Sequence, residues 1–193
     1  EYAVLGIEGI PAGLAITDRF ISPNTLNAAN IATALSTEDR DRHVVFLSGR
    51  ESSLQKTAET ANFCIANGFA NIVAVSGNTY QGESAKENRK RIFTDSVHIL
   101  NSLKPREKYP FFPGCTVNPF KYSPETVFPQ YFKLMKKLRQ GARFVISQFG
   151  WDMLKLQELR WYMSHRGKHF PTIARLMLLS PELLEKVQRG NLA

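Results

Sequence analysis

The sequence has only two cysteines in 193 residues, Cys64 and Cys115, and they form no CxxC pair. This excludes a disulfide framework and predicts a reducing, cytoplasmic setting. No apolar run approaches the ~20 residues that a membrane span needs, so we expect no membrane partner. The sequence also lacks a GxGxxG turn after any apolar run, because Gly6, Gly9 and Gly13 have the wrong spacing for one.

Acidic residues are scarce beside basic ones, 17 against 25, which gives a net charge of +8. The balance indicates an anionic partner such as nucleic acid, cofactor phosphates or a polycarboxylate, and a solvated basic surface is the alternative. The basic residues lie mostly in helical segments and are not interleaved with exposed aromatic residues, which disfavours nucleic acid. His165 and His169 have metal-ligand spacing, but Gly167 between them is expected to end the helix, so we predict no metal site.

Short apolar runs alternate with longer helical segments along the chain. This pattern predicts βαβ units around a parallel sheet within a single domain, residues 1–193. The predicted strands lie at 14–18, 44–47, 72–75, 111–112, 144–149 and within 170–179. The predicted helices lie at 23–35, 52–67, up to about 103, 124–140, 152–166 and from Ser180 onward.

Polar residues recur where the predicted strands end, about every 30 residues. A (β/α)8 TIM barrel of about 250 residues has a similar period, so we predict this α/β fold; a doubly wound sheet is the alternative. Only six strands are visible, and the chain opens without Met. We therefore expect the first and last units, including residues before Glu1, to be missing from this chain.

The predicted strand ends supply the candidate ligand residues. In a barrel they ring the carboxyl-terminal mouth, where ligands bind, and glycine lets the backbone approach a ligand closely. Gln148 could instead only cap the sheet edge, Cys115 could be an ordinary loop residue, and Lys133, Lys136 and Lys137 could be a solvated helix face. The candidates from this pattern are Thr17, Asp18, Ser48, Ser76, Gly77, Gly114 and Gln148.

The segment 118–152 resembles the methylenetetrahydrofolate reductase family. It combines Asn118-Pro119, the basic pair Lys136-Lys137, Gly141-Ala142 and a strand ending Ser147-Gln148-Phe149 before Asp152. That family ends this strand in Thr-Gln-Phe or a similar triplet. Two shorter stretches, 71–78 and 15–18, resemble earlier strands of the same family in order and spacing. The resemblance extends from about residue 12 to about residue 190.

The resemblance implies a (β/α)8 barrel that binds FAD and transfers hydride from NADH or NADPH to 5,10-methylenetetrahydrofolate, giving 5-methyltetrahydrofolate. Gln148 would hydrogen-bond the pterin ring, and Gln148 and Asn78 would be the catalytic and substrate-binding residues. Lys136 and Lys137 would approach the flavin diphosphate. The implied partner is therefore a tetrahydrofolate derivative, and a homo-oligomer is possible. The residues that would line the flavin are Thr17, Ser76, Gly77, Asn78 and Asn118.

The sequence departs from the family pattern at three places. The general-acid Glu of the family lies on its first strand, which is expected before residue 1. A His that is common at the end of the third strand is Phe46 here, and Asn78 stands where the family has Asp. These departures leave open a second function on the same barrel, a flavin-free pterin-binding protein or methyl-transfer partner.

Overall fold

A single parallel sheet forms the centre of the protein. The computed structural model describes residues 13–17, 27–34, 40–77, 84, 92–103, 111–176 and 180–188. Within these residues six strands pair in their sequence order, and every neighbouring pair is parallel. The strands are β1 Ala15–Ile16, β2 Val44–Ser48, β3 Asn71–Val75, β4 Phe112–Val117, β5 Phe144–Gly150 and β6 Thr172–Leu176.

Helices connect the strands, and local sequence sets several of their ends. Ser53 caps the helix Leu54–Ala66 by accepting a hydrogen bond from the Lys56 amide. Gly68, with φ of +87°, stops the same helix. Asp152 caps the helix that begins at Met153 by accepting hydrogen bonds from the Leu154 and Lys155 amides. The helices of the described residues are α1 Ala28–Ala34, α2 Leu54–Ala66, α3 Ser96–Ser102, α4 Pro124–Arg139, α5 Met153–Ser164 and α6 Pro181–Gln188, with a 3-10 turn at Arg40–Arg42.

The two faces of the sheet have different partners. Alternate strand residues, such as Val45, Ile72 and Val145, are buried in a large apolar core together with helix residues such as Ala61 and Leu134. The residues between them form a second core made only of strand side chains, which we call the inner layer: Phe46, Val73, Phe144 and Ile146, flanked by Val44 and Val75. One face therefore carries the helices and the other carries the inner layer.

This arrangement distinguishes between the two folds that the sequence allowed, a barrel and a doubly wound sheet. A doubly wound sheet reverses its strand order and places helices on both faces, whereas a barrel keeps sequential order with helices on one face. The described sheet has the order β1-β2-β3-β4-β5-β6 without a reversal. The fold is thus an α/β fold with a curled, parallel half-barrel, and the closed eight-stranded barrel stays a proposal.

The sequence placed β4 too early. It predicted a strand at Phe111-Phe112 that ends in Pro113–Thr116, but the strand runs from Phe112 to Val117 and includes those residues. Proline and glycine are depleted in strands, which explains the error. Gly114 is required here because a Cβ at this position would lie 2.4 Å from Cζ of Phe144. Gly114 therefore makes room for the inner layer, and its predicted place at a strand end is wrong, whereas its cofactor contact stays a prediction.

Other boundaries differ by a few residues. Helix α1 begins at Ala28 among the described residues, whereas the predicted helix began at Pro23. Gly150, predicted as a turn, is the last residue of β5. Helix α5 ends at Ser164, and Gly167 follows with φ of +62°. These shifts leave the order of strands and helices as predicted.

Candidate ligand site at the carboxyl ends of the strands

The inner layer ends in a polar rim at the carboxyl ends of the strands. The four buried residues of that layer are each at most 5% exposed, so they form a packed apolar layer beneath this edge. Strand alternation carries three of the strands on to Ser48, Gly77 and Gln148. It places Thr17 and Asn118 on the same face, because Ile16 and Val117 before them belong to the helix-side core. The rim residues are Thr17, Ser48, Gly77, Asn118 and Gln148. Five of the predicted site residues thus come together on one face.

The ends of β2 and β3 approach each other closely. The Gly49 amide donates to the carbonyl of Val75 at 2.8 Å, one step beyond the regular pairing. Gly77 has φ of +84°, and a Cβ there would lie 2.7 Å from Oγ of Ser48 and 2.8 Å from Cβ of Arg50. Only glycine fits this turn, both for its backbone angle and for its space.

Asn118 continues from β4 into a turn. Its Oδ1 accepts a hydrogen bond from the Phe120 amide at 3.1 Å, as in an Asx turn. This bond uses one lone pair of the oxygen, so Asn118 retains its side-chain NH2 donor and a second lone pair for a ligand.

A β-bulge lies where Gln148 leaves the sheet. Ile146 pairs with Ile173, and the next regular pair is Phe149 with Arg175, so Ser147 and Gln148 together oppose one residue of β6. Gln148 is half-buried. The Arg175 guanidinium lies 3.6 Å from the ring centre of Phe149, which is 54% exposed. Gln148 is therefore at an irregular strand end with a large aromatic residue beside it.

Ser76 does not belong to the rim. It follows β3 on the helix side of the sheet, where its Oγ accepts a hydrogen bond from the Ser96 amide at 3.0 Å and lies 3.1 Å from the Ser96 hydroxyl. It also donates to Oδ2 of Asp95 at 3.3 Å. The strand turns the hydroxyl toward the start of α3, so the predicted flavin contact of Ser76, which stays a prediction, would require the hydroxyl to leave these partners.

An ion pair joins this group to α4. Nζ of Lys133 lies 2.6 Å from Oδ2 of Asp95. Partial burial acts to raise the pKa of Asp95, but hydrogen bonds from Lys133 and the Val97 amide, with the Lys133 charge, outweigh it and lower the pKa. Lys133 is therefore engaged with Asp95. Sequence reasoning missed Asp95, although an Asp before a helical segment is a cap signal.

Lys137 is buried behind β4. It is 7% exposed, and its Nζ donates to the Thr116 carbonyl at 2.7 Å. Burial lowers the pKa of Lys137, and burial raises the pKa of the neighbouring Cys115 thiol to about 11. Lys137 thus reaches the sheet from its helix side, and a contact with a diphosphate would require it to leave Thr116.

Lys136 points away from the strand ends. It is exposed and lies in the last turn of α4, which leads to the start of β5 and hence to the opposite edge of the sheet from the rim. The basic pair that the sequence assigned to one diphosphate is therefore divided between a buried and a solvated position. Asp18 and Asn78 lie outside the described residues.

A small cavity lies beside the end of β2, between the first turns of α1 and α2. Its volume is about 40 Å³, which suits water and is too small for a ring. Among its lining residues are Ser48, Lys56 and Thr57. Phe46 of the inner layer also lines this cavity, so it adjoins the rim at the end of β2.

Two further expectations concern metals and membranes. Within the described ranges no group of three His, Cys, Asp or Glu side chains is placed to hold a metal ion. No described helix is long and apolar enough to cross a membrane.

Comparison with known proteins identifies the family. The family model for methylenetetrahydrofolate reductase matches residues 6–189. The chain belongs to the methylenetetrahydrofolate reductase family. A search of curated proteins gives no match.

Solved structures support the fold. One that is similar to this chain is described as an uncharacterized protein from Clostridium thermocellum that binds two copies of 5-methyl-5,6,7,8-tetrahydrofolic acid. The TM-score is 0.51 at 12% identity, and the match covers 94% of this chain and 70% of that chain. At this identity the likeness concerns the fold alone.

Proposed function

We propose that the rim binds a tetrahydrofolate derivative, and that the chain acts in the reduction of 5,10-methylenetetrahydrofolate to 5-methyltetrahydrofolate by NADH or NADPH, with FAD as cofactor. The observation that carries the proposal is the family match over residues 6–189, which includes every rim residue.

A pterin is flat, apolar on its faces and rich in donors and acceptors along its edge. A ring bound at the rim would lie above the packed apolar inner layer, which includes Phe46 and Phe144. Gln148 has one amide with both a donor and an acceptor, which suits a pterin edge. Ser48 and Thr17 add hydroxyl groups around it. Gln148 is the residue that we propose to bind the substrate and orient it for the reaction.

FAD would supply the hydride-transfer chemistry between the nicotinamide and the folate. Its isoalloxazine ring has an edge similar to that of a pterin, so Thr17, Gly77 and Asn118 suit it in type and position. The diphosphate is matched less well, because Lys133 and Lys137 are engaged with Asp95 and Thr116. Lys137 could serve it only by exchanging Thr116 for a phosphate oxygen.

Asn78 follows Gly77 directly and has a proposed role beside the flavin and the folate. An Asp at this position would place a negative charge near the ring, whereas Asn keeps the hydrogen-bonding shape without the charge. Asp18, next to Thr17, has a similar proposed role at the cofactor.

The engaged lysines favour a second candidate, a flavin-free pterin-binding protein or methyl-transfer partner. Phe46 also favours this second candidate, since it is a buried aromatic residue of the inner layer at a position where the family commonly has His. Such a protein would use the rim for the folate alone.

Two measurements on the purified chain separate these functions. Calorimetric titration with 5-methyltetrahydrofolate tests the rim, and absence of binding would overturn both functions. The visible spectrum, recorded with and without added FAD, tests the cofactor. A flavin band that persists after gel filtration supports the reductase, and folate binding without retained flavin supports the second candidate.

A further inference from the structure

Ser147 lies at the bulge beside the proposed folate ligand Gln148, and its side chain is fully buried. Its hydroxyl makes two hydrogen bonds with main-chain groups. It accepts from the Arg175 amide at 3.0 Å and donates to the Gln148 carbonyl at 2.8 Å. The Ser147 hydroxyl therefore links β5 to Arg175 of β6 and also binds the carbonyl of Gln148, the next residue of β5.

The bulge gives these two bonds their importance. An extra residue in one strand interrupts the regular ladder, so the main-chain groups next to it need other partners. The Arg175 amide and the Gln148 carbonyl are such groups, and the Ser147 hydroxyl serves both. Without the hydroxyl, two polar main-chain groups in a part-buried place would lose this partner.

We propose that Ser147 is a positioning residue that holds the bulge closed and thereby aims the Gln148 amide at the folate. This inference rests on the proposed function of the rim. Bulges beside binding sites re-aim side chains, and a rotation of the main chain at Gln148 would move its amide relative to a ring above the inner layer. Ser147 itself faces the helix side of the sheet and does not touch the ligand.

The pattern of substitutions that follows is specific. Ser147→Ala removes the hydroxyl, whereas Ser147→Thr retains it with one added methyl group. Ser147→Val matches the shape of Thr without the hydroxyl, so comparison of Thr with Val cancels the cost of fitting a branched side chain into a buried place. This second pair keeps the test possible if Ser147→Ala does not fold.

The first experiment is a double-mutant cycle on folate affinity, with 5-methyltetrahydrofolate as the probe. Ser147→Ala should weaken binding about tenfold, the size of one hydrogen bond to the ligand. In a Gln148→Ala background the same substitution should change affinity less than twofold, because the amide that it positions is absent. Ser147→Thr should bind at least fivefold more tightly than Ser147→Val. Additive losses, or equal affinities of the Thr and Val variants, would overturn the proposal.

The second experiment needs no ligand. Amide hydrogen exchange at Arg175, followed by NMR in the free protein, should be at least tenfold faster in Ser147→Val than in Ser147→Thr. Unchanged exchange means that the hydroxyl does not hold the bulge and overturns the proposal. If the exchange differs as expected but the unmodified chain binds no folate, the proposed function is wrong, and the role of Ser147 is limited to stabilising the bulge.

Discussion

At the scale of single residues, Gln148 carries the proposed recognition of the folate. Gln148→Ala should weaken 5-methyltetrahydrofolate binding by about 1–3 kcal/mol, because an amide that pairs with the ring edge is lost. Gln157→Ala is the matched control, since Gln157 is exposed on α5, away from the rim. Titration calorimetry of both variants checks this. Equal affinities of the two variants would mean that Gln148 does not bind the folate and only caps the sheet edge.

Lys137 offers a test of pH dependence at the same scale. Its pKa is lowered by burial, so between that value and the ordinary lysine pKa the unfolded chain binds more protons than the folded one. Stability should therefore rise with pH in this window as far as Lys137 is concerned. Lys137→Met removes the buried charge and keeps the stem. We expect its stability relative to the unmodified chain to be highest near neutral pH and to fall toward about pH 10.

Urea unfolding of both proteins at several pH values measures this difference. The control is Lys136→Met, because Lys136 is the exposed neighbour on the same helix. Its relative stability should not follow pH in this way. If the relative stability of both variants depended on pH in the same way, burial of Lys137 would not be the cause of that dependence.

At the scale of elements, the contact between β4 and β5 requires a residue without a side chain at Gly114. A Cβ on Gly114 would lie 2.4–2.7 Å from three atoms of the Phe144 ring. Gly114→Ala should therefore destabilise the protein by about 1–3 kcal/mol through overpacking. Adding Phe144→Leu, which removes the ring, should recover part of that loss. A Gly114→Ala variant as stable as the original would show that the two strands tolerate a wider spacing there.

The same elements show how far local sequence predicts structure. Apolar runs, capping residues and the Pro124 start of α4 predicted the order of strands and helices, because these signals act over a few residues. β4 was misplaced because Pro113 and Gly114 are unfavourable in strands by local preference. Packing against Phe144 outweighs that preference, and it depends on a residue thirty positions away in sequence.

At the scale of the whole molecule, the sheet should be most stable in its middle. β3 and β4 pair on both sides, whereas β6 pairs only with β5 among the described strands and exposes Ile173 and Leu176 by 46% and 55%. Amide exchange of this 193-residue chain should be slowest in β3 and β4 and faster in β6. Equal protection of β6 would indicate that another strand or a second copy covers this edge.

The sequence alone determined the alternation of strands and helices, the family, and the approximate positions of the rim residues, since each depends on nearby residues in order. Only the tertiary structure decided which strand ends share a face. Ser48 and Gln148 lie two residues after inner-layer positions, whereas Ser76 faces α3. Successive residues of a strand point to opposite faces, so a shift of one residue in a strand end moves a side chain from the rim to the helix layer. The burial of Lys137 beneath Thr116 has the same origin, because it depends on how α4 packs on β4.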